Sequence, residues 1–305
     1  MTVADLSGLD FVPIGIEHRA RVAELLARHP QPLSDYCVAS LLTWATVFDY
    51  RIAFAGPETL LVSAQSGIDG RPSLLQPVGV FPAALQQALL EQARESPESL
   101  RFESVSDAFL RAYPEFVERF DVVPVRDGAN YVYAASDLAE LPGRRYAKKR
   151  NLIAQASRLA SWTAEPLGPE QAQSCLDVDD DIAVRRASSF AVTLPQETRA
   201  LGRALDLLRP LSLRGLLLRA NGRPAAFSIF DRLNPTTAVV LFERALRSET
   251  GLYQVINREA ARVIAAEGFA WINREEDLGD PGLRQAKLSY FPARLEMKYT
   301  LTLRA

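Results

Sequence analysis

The sequence predicts an α/β protein, of the α+β kind, built as two tandem halves at residues 1–140 and 141–305, each a mixed central sheet flanked by helices. Three observations carry this expectation. With 305 residues, the chain exceeds the usual size of a single domain. The C-terminal half alternates helix-period and strand-period segments in a definite order. The N-terminal half runs through a similar order without obvious repetition of sequence.

In the C-terminal half, Arg144 to Ala160 places Leu152, Ile153, Ala156 and Leu159 at helical spacing. Trp162 to Leu167 reads as a short strand, followed by helical stretches near 169–188 and 195–209, the second ended by Pro210. Three strand segments come next, LSLRGLLLRA, PAAFSIFDRL and TAVVLFERAL. Asn221-Gly222 joins the first two, and both positions of that dipeptide tolerate positive φ, as a tight hairpin turn requires. Asn234-Pro235 marks the second turn, so the three strands form an antiparallel meander. A long helix over Leu252 to Glu267 is closed by Gly268. Phe269 to Asn273 is a strand, Pro281 to Tyr290 a helix and Ala293 to Leu303 a closing strand. In the N-terminal half FVPIGI reads as a strand, 17–28 and 34–46 as helices, and YRIAFAG, ETLLVSAQ and RPSLLQPVG as a meander. Helix 82–95, a strand near 100–105, helical segments within 106–119 and strands near 121–126 and 130–135 complete it.

Composition narrows the function classes. The chain is 48% hydrophobic and 24% charged with a net charge of -2, as in a soluble globular protein. No segment approaches the roughly 18 to 20 apolar residues of a membrane span, and MTVADLSGLD lacks the regions of a signal peptide, so a cytoplasmic protein is expected. A pI near 5.9 argues against broad nucleic-acid binding. Cys37 and Cys175 are read as buried thiols, and the only histidines, His18 and His29, sit together near the N-terminus. Neither a metal site nor a His-based triad is expected from so few ligands.

Three regions could carry chemistry. Between Arg144 and Arg158 six basic residues, among them Lys148, Lys149 and Arg150, occur with no acid. Such a cluster at a helix start suits phosphate, or it is a solvated face. Lys149 shares the apolar side with Leu152 and Ile153, so it is expected to point inward and to need an anionic partner. Glu243 falls on the face of Val239 and Leu241 in a strand apolar on both sides. A buried carboxylate there serves either as a general base or in a buried ion pair. The turn Arg247 to Tyr253, with one glycine at Gly251, is a weak pyrophosphate loop.

The third region is INREEDLGDPGLRQAKLSY. Asn273 and Glu275 stand at the carboxyl end of a strand, where open α/β sheets bind ligands. Asp280 is read as a helix N-cap before Pro281. Arg284 and Lys287 share one face of the following helix, and Leu283, Ala286 and Tyr290 the packed one. An internal salt-bridge network is the competing reading.

The element order is that of the N-acetyltransferase-like (GNAT) fold. Four stretches, YVYAASDLAELPGRRYAKKRNLI, LLLRANGRPAAFSIFD, VVLFERALRSETGLYQVINREAA and INREEDLGDPGLRQAKLSYFPARLEMKY, together with LSDYCVASLLTW, resemble bacterial proteins sharing the C-terminal domain of phosphatidylglycerol lysyltransferase. That group is built as tandem acyl-CoA N-acyltransferase-like domains. The resemblance implies aminoacyl or acyl transfer, with an aminoacyl-tRNA as donor and no further cofactor. Small-molecule, peptide or lipid-headgroup acceptors all fit, although the sequence shows no transmembrane region to bring lipid to the site. Lys148, Lys149 and Arg150 would hold phosphates of the donor's terminal nucleotides. Glu243 or Glu275 would accept the acceptor's proton, and Lys287 would stabilise the oxyanion, with Asn273, Arg247, Gly251, Tyr253, Arg284 and Tyr290 lining the site. A CoA-dependent N-acyltransferase and a non-catalytic anion-binding protein on the same fold are the alternatives.

Overall fold

The computed structural model describes residues 9–65, 70–96, 99–186, 194–246 and 250–304. The chain divides into two compact units, one of Met1–Asn130, Glu276–Pro281 and Leu295–Ala305, the other of Tyr131–Glu275 and Gly282–Arg294. Against the expected halves, 1–140 and 141–305, three stretches fall on the other side: residues 131–140 in the second unit, and residues 276–281 and 295–305 in the first.

The first unit carries β1 (Val12–Pro13), α1 (Arg19–Arg28), α2 (Val38–Thr43), β2 (Arg51–Phe54), β3 (Thr59–Gln65), β4 (Pro72–Leu75), β5 (Val78–Gly79), α3 (Ala83–Glu95), β6 (Arg101–Val105), α4 (Asp107–Ala112) and α5 (Pro114–Val117). It also holds most of β7 (Phe120–Ala134). Strands β1 to β3 are antiparallel neighbours, β5 pairs β3, and β4 runs parallel to β6 with Leu74 opposite Phe102. Where two strands near 121–126 and 130–135 are expected, β7 is one continuous strand of 15 residues. Gly128 lies within it without positive φ, so nothing breaks the ladder there.

The core of this unit is aromatic. Phe81 meets Phe116 edge-on, with ring centroids 5.0 Å apart, and Phe102 and Phe120 close the cluster. Leu301, fully buried, belongs to the same cluster and sits opposite Phe102. That packing is why the last strand leaves its sequence neighbours and joins the first unit.

The second unit carries α6 (Ala135–Glu140), α7 (Ala147–Leu159), β8 (Trp162–Pro166), α8 (Ala172–Arg186), α9 (Leu194–Asp206), α10 (Leu208–Leu211), β9 (Arg214–Ala220), β10 (Arg223–Asn234), β11 (Thr237–Ala245), α11 (Leu252–Ala266), β12 (Trp271–Asn273) and α12 (Pro281–Leu288), ahead of β13 (Arg294–Leu303). Strands follow the order β7-β12-β11-β10-β9-β8. Asn221 and Gly222 have φ of 48° and 78°, the positive values expected of the β9–β10 turn. The β10–β11 turn closes with Asn234 opposite Thr237. Pro210, expected to end a helix, lies inside the four-residue α10.

Strands β11 and β12 are parallel, so the chain must cross over between them, and α11 is that crossover. Helix α11 packs on α6, α7 and β10 through Val255, Ile256, Ala260 and Ile264. Each fully buried branched residue there contributes roughly 1.5–3 kcal/mol, so packing rather than helix propensity sets where α11 begins. Gly268, at φ 87°, turns the chain off its end as expected. Cys37 and Cys175 are free thiols and buried. Among the described residues no helix is long and apolar enough to cross a membrane.

Candidate functional site

The site lies in the second unit, past the carboxyl end of β12 and beside the stretch of β11 that runs on beyond it. Their parallel register sets Val239 opposite Asn273. Glu243, four residues on from Val239, is 7% exposed, and its Oε1 meets Arg274 Nη2 at 2.7 Å. The buried carboxylate is thus an ion-pair partner. Arg274 also faces the rings of Tyr133 and Tyr290, at 5.7 Å and 5.2 Å from their centroids. Burial works against its charge, but the Glu243 carboxylate outweighs it and holds the guanidinium pKa above its ordinary value. Asn257, turned so that its oxygen meets donors, accepts from Arg274 Nε and Nη1 at 3.3 Å and 3.2 Å.

Lys149 reaches the same cluster from α7. Its Nζ donates to Ser289 Oγ at 2.6 Å and lies 3.9 Å from the centroid of the Tyr290 ring. The side chain is half-buried and points inward, as expected. Among the described residues Lys149 contacts no carboxylate. Burial, then repulsion from Arg274 and Lys148, pushes its pKa down to about 8.

Tyr290 joins the two cations. Its carbonyl accepts from Tyr146 Oη at 3.0 Å, which fixes the backbone, and its ring lies beneath Lys149. Among the described residues its buried hydroxyl makes no hydrogen bond of good geometry, although Gln254 lies near enough to lower its pKa. Burial dominates and raises that pKa, so the phenol is a neutral donor at ordinary pH. Tyr133, also raised by burial, donates to the Lys287 carbonyl at 2.9 Å.

Lys287 is 8% exposed and its Nζ donates to the Arg274 carbonyl at 2.6 Å. It is the buried residue of α12, whereas Ala286, expected on the packed face, is exposed. Three sequence-predicted residues therefore converge through Arg274. Glu243 holds its guanidinium, Lys287 holds its carbonyl, and Lys149 shares with it the ring of Tyr290.

Other candidates have local structural duties. Arg150 folds back to the Leu141 and Gly143 carbonyls at 2.5 Å and 2.7 Å, so the Lys148-Lys149-Arg150 run does not point one way. Lys148 is exposed. Asn273 Oδ1 accepts from the Glu275 amide at 2.8 Å, turning the chain at Glu275, whose φ is 54°. Tyr253 donates to the Glu243 carbonyl at 3.1 Å. Gly251, at φ 87°, lies so close to α7 that a Cβ would stand 2.2 Å from the Leu152 carbonyl oxygen, so it serves close packing. Arg284 is half-buried on α12, and Arg247 falls outside the described residues.

Sequence reasoning missed Arg274, Ser289 and Tyr133. The signal for Arg274 was present, since it is the first residue past a buried strand end and Glu243 needed a cation.

A sheet of this strand order, with a crossover helix between its parallel strands, has the N-acetyltransferase-like α/β fold. More particularly, the chain belongs to the family described as phosphatidylglycerol lysyltransferase, C-terminal, whose profile matches residues 26–302. A crystal structure of a conserved protein of unknown function from Bacteroides thetaiotaomicron is 30% identical, with a TM-score of 0.90 over 97% of this chain and 100% of that one. The C-terminal domain of a putative lysylphosphatidylglycerol synthetase from Agrobacterium fabrum is 17% identical at TM-score 0.65, covering 95% of this chain and 92% of that one. FemX is 10% identical at TM-score 0.62, over 96% and 97%. The last two share the fold. Among curated proteins no sequence matches.

Proposed function

We propose that the chain is an aminoacyltransferase that moves an aminoacyl group from an aminoacyl-tRNA to an amine or hydroxyl acceptor. Family membership supports the reaction class. One observation carries the site: Lys149 and the ring of Tyr290 stand beside the Arg274–Glu243 pair, with no carboxylate on Lys149 and no hydrogen bond of good geometry on the Tyr290 hydroxyl among the described residues. Two donors without an acidic partner suit an atom that becomes negative only during reaction, as an ester carbonyl oxygen does.

The residues then take these roles. Lys149 and Tyr290 Oη donate to the developing oxyanion. The Glu243–Arg274 pair, neutral as a unit, positions them, and Lys287 fixes the Arg274 backbone. This moves oxyanion stabilisation from Lys287 to Lys149. Glu275, at the strand end, accepts the proton lost by the attacking amine or hydroxyl. Exposed Arg144 and Lys148, at the start of α7, hold donor phosphates. An aminoacyl ester is already activated, so positioning and charge stabilisation suffice for transfer.

The test is discharge of a mixed aminoacyl-tRNA pool by the full chain with amine and hydroxyl acceptors present, run beside acetyl-CoA. Faster loss of aminoacyl ester than in buffer supports the proposal. Acyl transfer from acetyl-CoA with no discharge of tRNA would replace it with the CoA-dependent reading.

A further inference from the structure

The chain contains four lysines, and their surroundings differ in kind. Lys298, 8% exposed, lies 2.7 Å from Asp35 Oδ2 and 3.5 Å from Glu276 Oε2. Two carboxylates hold it as an ammonium. Lys287, equally buried, commits its Nζ to the Arg274 carbonyl at 2.6 Å. Lys148 is exposed. Lys149 alone of the four is half-buried on a hydroxyl and an aromatic face, among the described residues without a carboxylate.

The groups facing it favour the neutral amine. Arg274 beyond β12 and Lys148 on α7 are cations, and both lower its pKa, after burial, to about 8. Ser289 and Tyr290 beyond α12 are uncharged partners. Glu243 on β11 is taken by Arg274 at 2.7 Å. Ser289 Oγ donates a hydrogen bond to the Ala286 carbonyl at 2.6 Å, which leaves its lone pairs toward Lys149 and keeps Nζ in one place. A positioned lysine that loses its proton easily is a nucleophile.

We propose that Lys149 is a self-acylation site for activated esters and thioesters. The Nζ lone pair attacks the acyl carbonyl carbon, and the C–O or C–S bond breaks. The proton that nitrogen loses leaves with the alcohol or thiol, and a stable amide remains on Lys149. The amide carries no charge and no free donor pair, so acylation removes the group that faces Arg274. The chemical step needs no acceptor and no tRNA. Only its consequence, that an acylated chain is switched off, rests on the transferase reading.

The test uses p-nitrophenyl acetate on the full chain, with occupancy of the four lysines read by peptide mass spectrometry at short times. At about pH 7, Lys149 is acetylated at least roughly tenfold faster than Lys148, while Lys287 and Lys298 are protected. Its rate levels off above about pH 8, and in concentrated urea the preference over Lys148 falls below about twofold. Ser289→Asp, which supplies the missing carboxylate, slows Lys149 and leaves Lys148 unchanged. Equal or faster labelling of Lys148 in the folded chain, a Lys149 rate still climbing past about pH 10, or no slowing by S289D overturns the proposal. None of these outcomes depends on turnover, so they stand apart from failure of the transfer assay.

Discussion

Glu243→Gln removes one half of a deeply buried ion pair in the second unit and leaves its shape. The side chains of Arg274 and Glu243 are 9% and 6% exposed, and they meet at 2.7 Å. Breaking such a pair by deleting one charge costs about 3–5 kcal/mol, because the survivor is buried without compensation. Here the rings of Tyr133 and Tyr290, at 5.7 Å and 5.2 Å, remain to face the guanidinium. Each offers roughly 0.5–1 kcal/mol, so the net loss settles near the lower end, about 3 kcal/mol. The contrast is Asp121→Asn, which breaks the Arg304 pair at 2.9 Å with side chains 59% and 69% exposed. That change costs under about 1 kcal/mol.

Urea denaturation measures both. Trp162 and Trp271 lie in the second unit and Trp44 in the first, so fluorescence in a Trp44→Phe background reports the second unit, for E243Q, and in a Trp162→Phe, Trp271→Phe background the first, for D121N. Replacing both partners by apolar residues, Glu243→Leu with Arg274→Met, recovers more than about 1 kcal/mol over the single change. If E243Q stays within about 0.5 kcal/mol of its parent, or costs no more than D121N, the buried-pair reasoning is refuted.

Three further outcomes follow from the same geometry. The Lys149 pKa falls from 10.5 unfolded to about 8 folded, so between those values the unfolded chain binds more protons and stability rises with pH. Lys149→Met is therefore more stable than wild type at about pH 7, and the gap closes toward about pH 10; urea midpoints at the two values check the sign. Asp35 has its carboxyl pKa lowered; burial opposes this, and Lys298 and Ser104 outweigh it. Its stabilisation is present above the unfolded carboxylate value and lost as pH falls through the folded one, so Asp35→Asn flattens the acid limb of a circular-dichroism titration. Gly251→Ala meets both a φ of 87° and the Leu152 carbonyl oxygen at 2.2 Å. It costs more than about 2 kcal/mol in thermal melts of the second unit.

Much of the fold is legible because its signals are local. Asn221-Gly222 sets one turn by its own backbone freedom, and Gly268 ends α11 by the same means. Glu243 stands out because period-two alternation puts a carboxylate among apolar neighbours. What escapes the sequence is pairing over distance. Arg274 lies 31 residues from Glu243, and they meet only because β11 and β12 run parallel in a register that no short motif encodes. The inward direction of Lys149 follows from helix spacing, but its contacts with Ser289 and the face of Tyr290 do not. Likewise Leu301 carries no mark that its strand packs with Phe102 and Phe120 rather than with the elements beside it in sequence.

The most direct test of the central claim, that Lys149 and Tyr290 form the donor pair of a transfer site, is single-turnover discharge of aminoacyl-tRNA. It compares wild type with Lys149→Met and Tyr290→Phe, each checked for native circular dichroism. Loss of a donor to a developing oxyanion costs about 10²- to 10³-fold in rate. Wild-type discharge above background, with losses of that size in K149M and a smaller loss in Y290F, is the predicted result. Discharge by K149M at the wild-type rate, or no discharge by wild type with any acceptor, would contradict it.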